Sequence, residues 1–153
     1  MRNRTRLRIA VIALGACAVG GIAGAAIPAY AWVGGDVIRH DSIQNLVIAK
    51  DIQFTNGSKG STCRIWNRNG GNTWNYVNAS NNCTTASMNG RTYSWTVFND
   101  TDAFTMQYEA YWVNLYGSWR RVAANDYTRI HSDDNVHCYR ESDGVNCYVE
   151  GWH

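Results

Sequence analysis

A regular alternation of apolar and polar residues in the middle of the chain constrains its fold more than any other feature. Tyr93, Trp95 and Val97 alternate with polar residues, a turn-rich segment covers 99–102, and a second alternating run begins at Phe104. A period of two residues is typical of β-strands with one buried face. If 99–102 forms the loop, Val97 lies opposite Phe104 and the large apolar residues share one face. The pattern therefore predicts a long hairpin.

Further strands are predicted by the same alternation and by turn signals at Asn-Gly and Asp-Gly steps. These steps stand at 56–57, 69–70, 89–90 and 143–144, where glycine supplies the positive φ of a tight turn. The predicted strands are 45–55, 63–67, 73–77, 91–98, 104–113, 119–123, 136–140 and 145–151. Seven or eight short strands with few helix signals predict an all-β fold, either an antiparallel β-sandwich or a small barrel.

The segment 1–31 has the pattern of a secretory signal peptide. Four arginines within the first eight residues precede an apolar run over 9–27. Ala29 and Ala31 are the small residues that a signal peptidase accepts, so we expect cleavage before Trp32. The arginine-rich start and the alanine- and glycine-rich run are typical of bacterial export, which predicts a secreted protein.

Cleavage would leave a single mature domain at 32–153. An uncleaved membrane anchor is the first alternative, because the apolar run is close to the ~20 residues that span a bilayer. Lipidation at Cys17 is a second alternative, since the residues before it loosely resemble a lipobox.

The charge balance changes when the signal is discounted. Four of the fourteen basic residues lie in the signal and all twelve acidic residues follow it, so the mature chain has a net charge of −2. Its largest basic cluster is the pair Arg120 and Arg121. A nucleic-acid-binding domain carries a basic patch or stripe, so nucleic acid is excluded as a partner.

Four cysteines remain in the mature chain: Cys63, Cys83, Cys138 and Cys147. An even number in an exported chain predicts disulfides. No pair has the two-residue gap of thiolate zinc sites, so we expect no metal and no other cofactor. Of the three possible connectivities we predict Cys63–Cys83 and Cys138–Cys147, because each bridge closes a short loop within one local unit.

Composition gives the functional hint. The mature chain holds all seven tryptophans, eight of the nine tyrosines and fifteen asparagines, which is more aromatic surface than one small core accommodates. Some rings are therefore expected to be exposed. Aromatic rings stack on the apolar faces of sugars and amides hydrogen-bond to hydroxyls, so this mix suits carbohydrate.

Segment 66–76 is the first candidate ligand-binding surface. Its candidate residues are Trp66, Asn67, Asn72, Trp74 and Tyr76. The alternative interpretation places the tryptophans in the core and assigns the asparagines to turns.

A second candidate surface comprises Tyr116, Trp119 and Arg120, followed by Arg121. Arginine beside aromatic residues resembles a hot spot for protein contact.

Catalysis is considered at segment 131–137, which holds His131, Asp133, Asp134 and His137. Such groups could bind a divalent metal or transfer protons. Their spacing matches no metal motif, and a polar loop leading into a strand would have the same composition. No serine lies in a Gly-x-Ser-x-Gly context. The sequence therefore favours a non-catalytic protein without excluding an enzyme, and no catalytic or metal-binding residue is assigned.

Three functions follow, in order of preference. The first is a secreted, non-catalytic binding domain that presents aromatic residues to an extracellular ligand such as a polysaccharide or glycan. The second is a secreted interaction protein, an inhibitor or an antimicrobial toxin, that acts on a protein or membrane target. The third is a small secreted hydrolase. Membrane contact is expected only for a toxin or for an uncleaved anchor, and the sequence predicts no oligomeric state.

Overall fold

The computed structural model describes residues 35–40, 43–54, 63–78 and 83–151. The predicted signal peptide and the Asn-Gly step at 56–57 lie outside the described residues. All described residues belong to one compact unit, Ala31–His153. Within these ranges there is no helix whose length and hydropathy would let it cross a membrane.

The described residues form an all-β fold with eleven strands and a short 3-10 helical turn, η1. The elements are β1 (Asp36–Arg39), β2 (Leu46–Lys50), β3 (Arg64–Ile65), β4 (Val77–Asn78), β5 (Thr84–Ser87), η1 (Ser94–Thr96), β6 (Ala103–Met106), β7 (Tyr111–Leu115), β8 (Ser118–Val122), β9 (Asp126–Arg129), β10 (Asn135–Glu141) and β11 (Gly144–Glu150). The all-β prediction is confirmed, whereas β1, β5 and β9 occupy segments for which the sequence predicts no strand.

The strands pair in two mixed sheets. In the described part of the chain, sheet 1 has the order β1-β10-β11-β7-β8 and sheet 2 has the order β4-β3-β9-β6-β2-β5. Three pairs are parallel: β1 with β10, β11 with β7 and β3 with β9. The prediction of a purely antiparallel arrangement is wrong, because these pairs join segments that no short turn connects.

Both sheets contribute to one buried core. Apolar residues at alternate positions of the strands meet there, and they include Val113, Val136 and Val149 of sheet 1 and Ile48, Phe104 and Met106 of sheet 2. Both predicted disulfides are present. Cys63 is bonded to Cys83, and Cys138 is bonded to Cys147, its paired residue on the neighbouring strand.

The predicted hairpin between 91–98 and 104–113 is absent. The first segment contains η1 and no strand, and the second is divided between β6 and β7. In the structure β6 pairs with β2 and β9, whereas β7 pairs with β8 and β11. The alternation therefore identified strand-forming residues correctly in the second segment but assigned them the wrong partner.

Ser94 gives the physical reason why the first segment is not a strand. Its side chain is fully buried, and its hydroxyl accepts the Val37 N–H at 2.9 Å and donates to the carboxylate of Asp36. Burial of this polar member of the pattern leaves Tyr93 and Trp95 at the surface, 40% and 44% exposed. Two of the three residues of the predicted apolar face are thus exposed, whereas Val97 packs against the core.

The turn predictions are confirmed at the three described steps. Gly70, Gly90 and Gly144 all have positive φ. At Gly70 the close approach matters as well, because an added Cβ would lie 2.6 Å from the ring of His131. Glycine is therefore required at this position by both conformation and space.

Candidate functional site

Trp74 and Tyr76 form an exposed aromatic pair, here called the ring pair. They are 45% and 44% exposed, their ring centroids are 5.6 Å apart, and their planes differ by 24°. Residue 75 between them makes a bridge with Asn67, which holds this part of the segment extended. Two residues at i and i+2 of an extended segment point to the same side, so both rings face solvent together.

The ring pair is held from behind by buried residues. Trp66 is fully buried, its ring centroid lies 4.7 Å from that of Trp74, and its Nε1 donates to Thr128 Oγ1 at 2.8 Å. Trp66 has no surface with which to contact a ligand. We therefore reassign it from ligand contact to support of Trp74.

Tyr76 is held by charged residues of β3 and β9. Its hydroxyl donates to Asp126 Oδ2 at 3.2 Å, and the guanidinium of Arg64 lies 4.3 Å from its ring centroid. Arg64 in turn pairs with Asp126 at 3.4 Å. Burial and the neighbouring Asp126 carboxylate raise the pKa of Tyr76, so the hydroxyl keeps its proton and remains a donor.

The two candidate asparagines have structural partners. Asn67 is buried, its Oδ1 accepts the Arg129 N–H at 2.7 Å, and its Nδ2 donates to the Arg129 carbonyl at 3.0 Å. Asn67 therefore joins the segment to β9 and does not face a ligand. Asn72 is half-buried, and its Oδ1 accepts from Arg120 Nε at 2.7 Å. This bond connects the two candidate surfaces proposed from the sequence.

The residues of the second candidate surface have different partners in the structure. Tyr116 belongs to the β7–β8 turn, and its hydroxyl donates to the buried Asp134 at 2.8 Å and lies 3.1 Å from His131 Nδ1. Burial and the Asp134 carboxylate raise the pKa of Tyr116. Arg120 bonds to Asn72, while Trp119 is 41% exposed on sheet 1. Trp119 and Arg120 are neighbours on β8 and therefore point to opposite faces of sheet 1.

Segment 131–137 is divided in the same way. His131 and Asp134 contact Tyr116, Asp133 is exposed, and His137 instead lies 3.0 Å from His40, measured from Nδ1 to Nε2. Among the described residues, no three His, Cys, Asp or Glu side chains are grouped so as to hold a metal ion.

The outer face of sheet 1, which points away from the core, is a second aromatic surface that the sequence reasoning did not identify. On β10 and β11 it carries His137, Tyr139, Glu141, Asn146, Tyr148 and Glu150. The signal for it was available, because the Cys138–Cys147 bridge pairs two core-facing residues and thereby turns their neighbours outward.

Rings on this face contact one another from strand to strand. Tyr148 meets Trp119 edge-on at 5.1 Å and Tyr139 at 6.0 Å, and Tyr139 stacks on His40 at 4.3 Å with an interplanar angle of 6°. A shallow depression of about 480 Å³ opens among the side chains of β10 and β11. Its lining residues are His137, Tyr139, Glu141, Tyr148 and Glu150.

Comparison with known proteins gives no relative: no protein-family model, no curated protein sequence and no solved structure matches the chain.

Proposed function

We propose that this protein is a secreted, non-catalytic binding domain that recognises carbohydrate through the ring pair Trp74 and Tyr76. The observation that carries the proposal is the exposure of two nearly parallel rings on one side of an extended segment. Aromatic rings displayed in this way can contact the apolar faces of sugar units, a contact that buries carbon-bound hydrogens against the π-system.

The support beneath the ring pair favours binding. A ligand that orders a free side chain loses about 0.5–1.5 kcal/mol for each side chain that it immobilises. Trp74 is already packed against Trp66, and Tyr76 is already bonded to Asp126 and covered by Arg64. The entropic cost of ordering these two side chains on binding is therefore reduced, which leaves more of the stacking free energy for affinity.

The Arg64 guanidinium beside the ring pair can supply hydrogen bonds to sugar hydroxyls, because it presents N–H donors next to Tyr76. Stacking supplies contact area with little dependence on the sugar, whereas these donors would select among hydroxyl patterns. We propose a β-sandwich as the scaffold, with the two sheets packed across their shared core.

The proposal is tested on oxidised protein expressed from the full-length chain and recovered after export. Intact mass first reports whether the chain starts at Trp32. Pull-down with insoluble cellulose, chitin, xylan and peptidoglycan, together with a glycan array, then identifies a bound polysaccharide. For that polysaccharide, Trp74→Ala is expected to weaken binding at least about tenfold, which corresponds to about 1.4 kcal/mol.

Trp95→Ala is the matched control. Trp95 has nearly the same exposure as Trp74 and also stacks on a tyrosine, Tyr93, at 5.7 Å, but it lies within η1. The Trp95→Ala variant should bind the polysaccharide with the same affinity as the unmodified protein. Absence of binding to every carbohydrate would refute the proposal and favour an interaction protein, as would equal loss of binding in both variants.

A further inference from the structure

The depression on the outer face of sheet 1 carries a chemistry that differs from that of the ring pair. Two carboxylates, Glu141 and Glu150, and two phenol rings, Tyr139 and Tyr148, line it together with His137. Both glutamates are exposed, and both tyrosine rings are half-buried. The walls are thus aromatic, and the fixed charges at the rim are negative.

Neither of two nearby arginines in the described part of the chain lines the depression. Arg140 precedes Glu141, but its guanidinium forms two bonds with Glu109, at 2.7 and 2.6 Å. Arg121 shares the outer face but lies on the edge strand β8, which β7 separates from β11. Among the described residues that line the depression, the two carboxylates are therefore the fixed charges.

A histidine pair lies at the depression. His40 and His137 are 3.0 Å apart between ring nitrogens, and their planes differ by 17°. Of the two, His137 lines the depression.

Asn146 supports the Glu141 side of the depression. It is 5% exposed and pairs with Tyr139 across β10 and β11. Its Nδ2 donates to Glu141 at 2.8 Å and to Asp143 at 3.2 Å, whereas its Oδ1 is buried without a hydrogen-bond partner among the described residues. Asn146 therefore holds one carboxylate of the depression in place from beneath the surface and is not itself a lining residue.

Negative charge combined with aromatic walls is the chemistry that recognises organic cations. A cation over the face or rim of an aromatic ring is attracted by the ring quadrupole, and the attraction grows where water is excluded. A nearby carboxylate adds a direct charge interaction. We propose that this depression is a binding site for an organic ammonium group, separate from the ring pair and independent of the function proposed for it.

The test uses two matched ligand pairs and the oxidised protein expressed from the full-length chain. Choline is compared with its neutral carbon isostere 3,3-dimethyl-1-butanol, and glucosamine is compared with glucose. Amide signals of β10 and β11 are followed by ¹H–¹⁵N spectroscopy during each titration. The charged member of at least one pair is expected to bind at least about tenfold more tightly, and the responding pair identifies a quaternary or a primary ammonium as the source.

Two substitutions of equal charge locate the site. Glu150→Gln removes one carboxylate from the depression and is expected to weaken ammonium binding about fivefold or more. Asp133→Asn removes an exposed carboxylate outside the depression and should leave the affinity unchanged. Tyr139→Leu, verified as folded by circular dichroism, should lower the affinity because it removes an aromatic wall.

The proposal is overturned by any of three results. Neutral and charged ligands could bind equally, which would remove the role of charge. Asp133→Asn could weaken binding as much as Glu150→Gln, which would show a general effect of net charge. Titration with all four ligands could leave the signals of β10 and β11 without a saturable shift, which would show that the depression is not a binding site for them.

Discussion

Replacement of Trp66 tests the assignment of this tryptophan to support rather than to ligand contact. Trp66 is fully buried, so Trp66→Ala removes the whole indole from the core and leaves a cavity. Substitutions of this kind lower the free energy of unfolding by about 3–5 kcal/mol. The lost bond to Thr128 contributes about 1 kcal/mol of this, and Thr128 is not left without a partner because Tyr111 still bonds to its hydroxyl at 2.7 Å.

Trp74→Ala is the matched comparison at the surface. Its side chain is 45% exposed, so roughly half of its transfer free energy is at stake and the site opens to solvent without leaving a cavity. We expect a loss of about 1 kcal/mol. Urea unfolding followed by far-ultraviolet circular dichroism measures both changes. Equal losses, or a larger loss for Trp74→Ala, would refute the division of the two residues into support and ligand contact.

Three further predictions concern the scaffold, each measured by urea unfolding. Replacing Cys138 and Cys147 by alanine should lower the free energy of unfolding by at least about 2.6 kcal/mol, because the bridge closes a loop with a sequence separation of 9 and so lowers the entropy of the unfolded chain. A loss below about 1 kcal/mol would contradict this origin of the stabilisation. Ser94→Ala should cost about 2 kcal/mol, because the buried carboxylate loses its hydroxyl donor, and a neutral effect would show that this bond does not hold η1. A bond from Arg140 lowers the pKa of Glu109. The contribution of this ion pair to the free energy of unfolding is therefore fully present above the ordinary glutamate pKa of about 4.3, and it is lost as the pH falls through the lowered pKa of Glu109. Glu109→Gln should therefore cost up to about 1 kcal/mol at neutral pH and nothing near pH 2, and the same cost at both pH values would exclude the ion pair as its cause.

Local features of the fold could be predicted from the sequence. The β10–β11 hairpin follows from an Asp-Gly turn between two alternating runs, and its disulfide closes a loop that the same hairpin brings together. The glycine conformations at 70, 90 and 144 follow from the requirements of tight turns. In each case the residues that decide the structure lie close together in the chain.

Features that depend on distant partners could not be predicted. The hairpin predicted from 91–98 and 104–113 was consistent in register, but Ser94 instead bonds to Asp36, which lies 58 residues away. Parallel pairs such as β1 with β10 leave no turn signal in the sequence. Alternation shows which residues share a face of a strand but does not show which strand lies beside it.

The same difference between nearby and distant partners applies to the candidate surfaces. Trp74 and Tyr76 were proposed as exposed rings because aromatic residues stand among asparagines in segment 66–76. Trp66 was assigned to the same surface because composition alone does not distinguish an exposed indole from a buried one. The depression of sheet 1 required the register of β10 and β11, which the predicted bridge between Cys138 and Cys147 already implied.

The most direct test of carbohydrate binding through the ring pair is the response of the indole N–H signals to a bound oligosaccharide. The signals are assigned by single Trp→Phe substitutions, and the ligand is the soluble fragment of the polysaccharide found in the pull-down. The Trp74 signal should shift saturably. The signals of Trp66, which is buried and bonded to Thr128, and of Trp95, which lies within η1, should stay in place. A bound oligosaccharide that leaves the Trp74 signal unmoved, or that moves the Trp95 signal instead, would contradict the account.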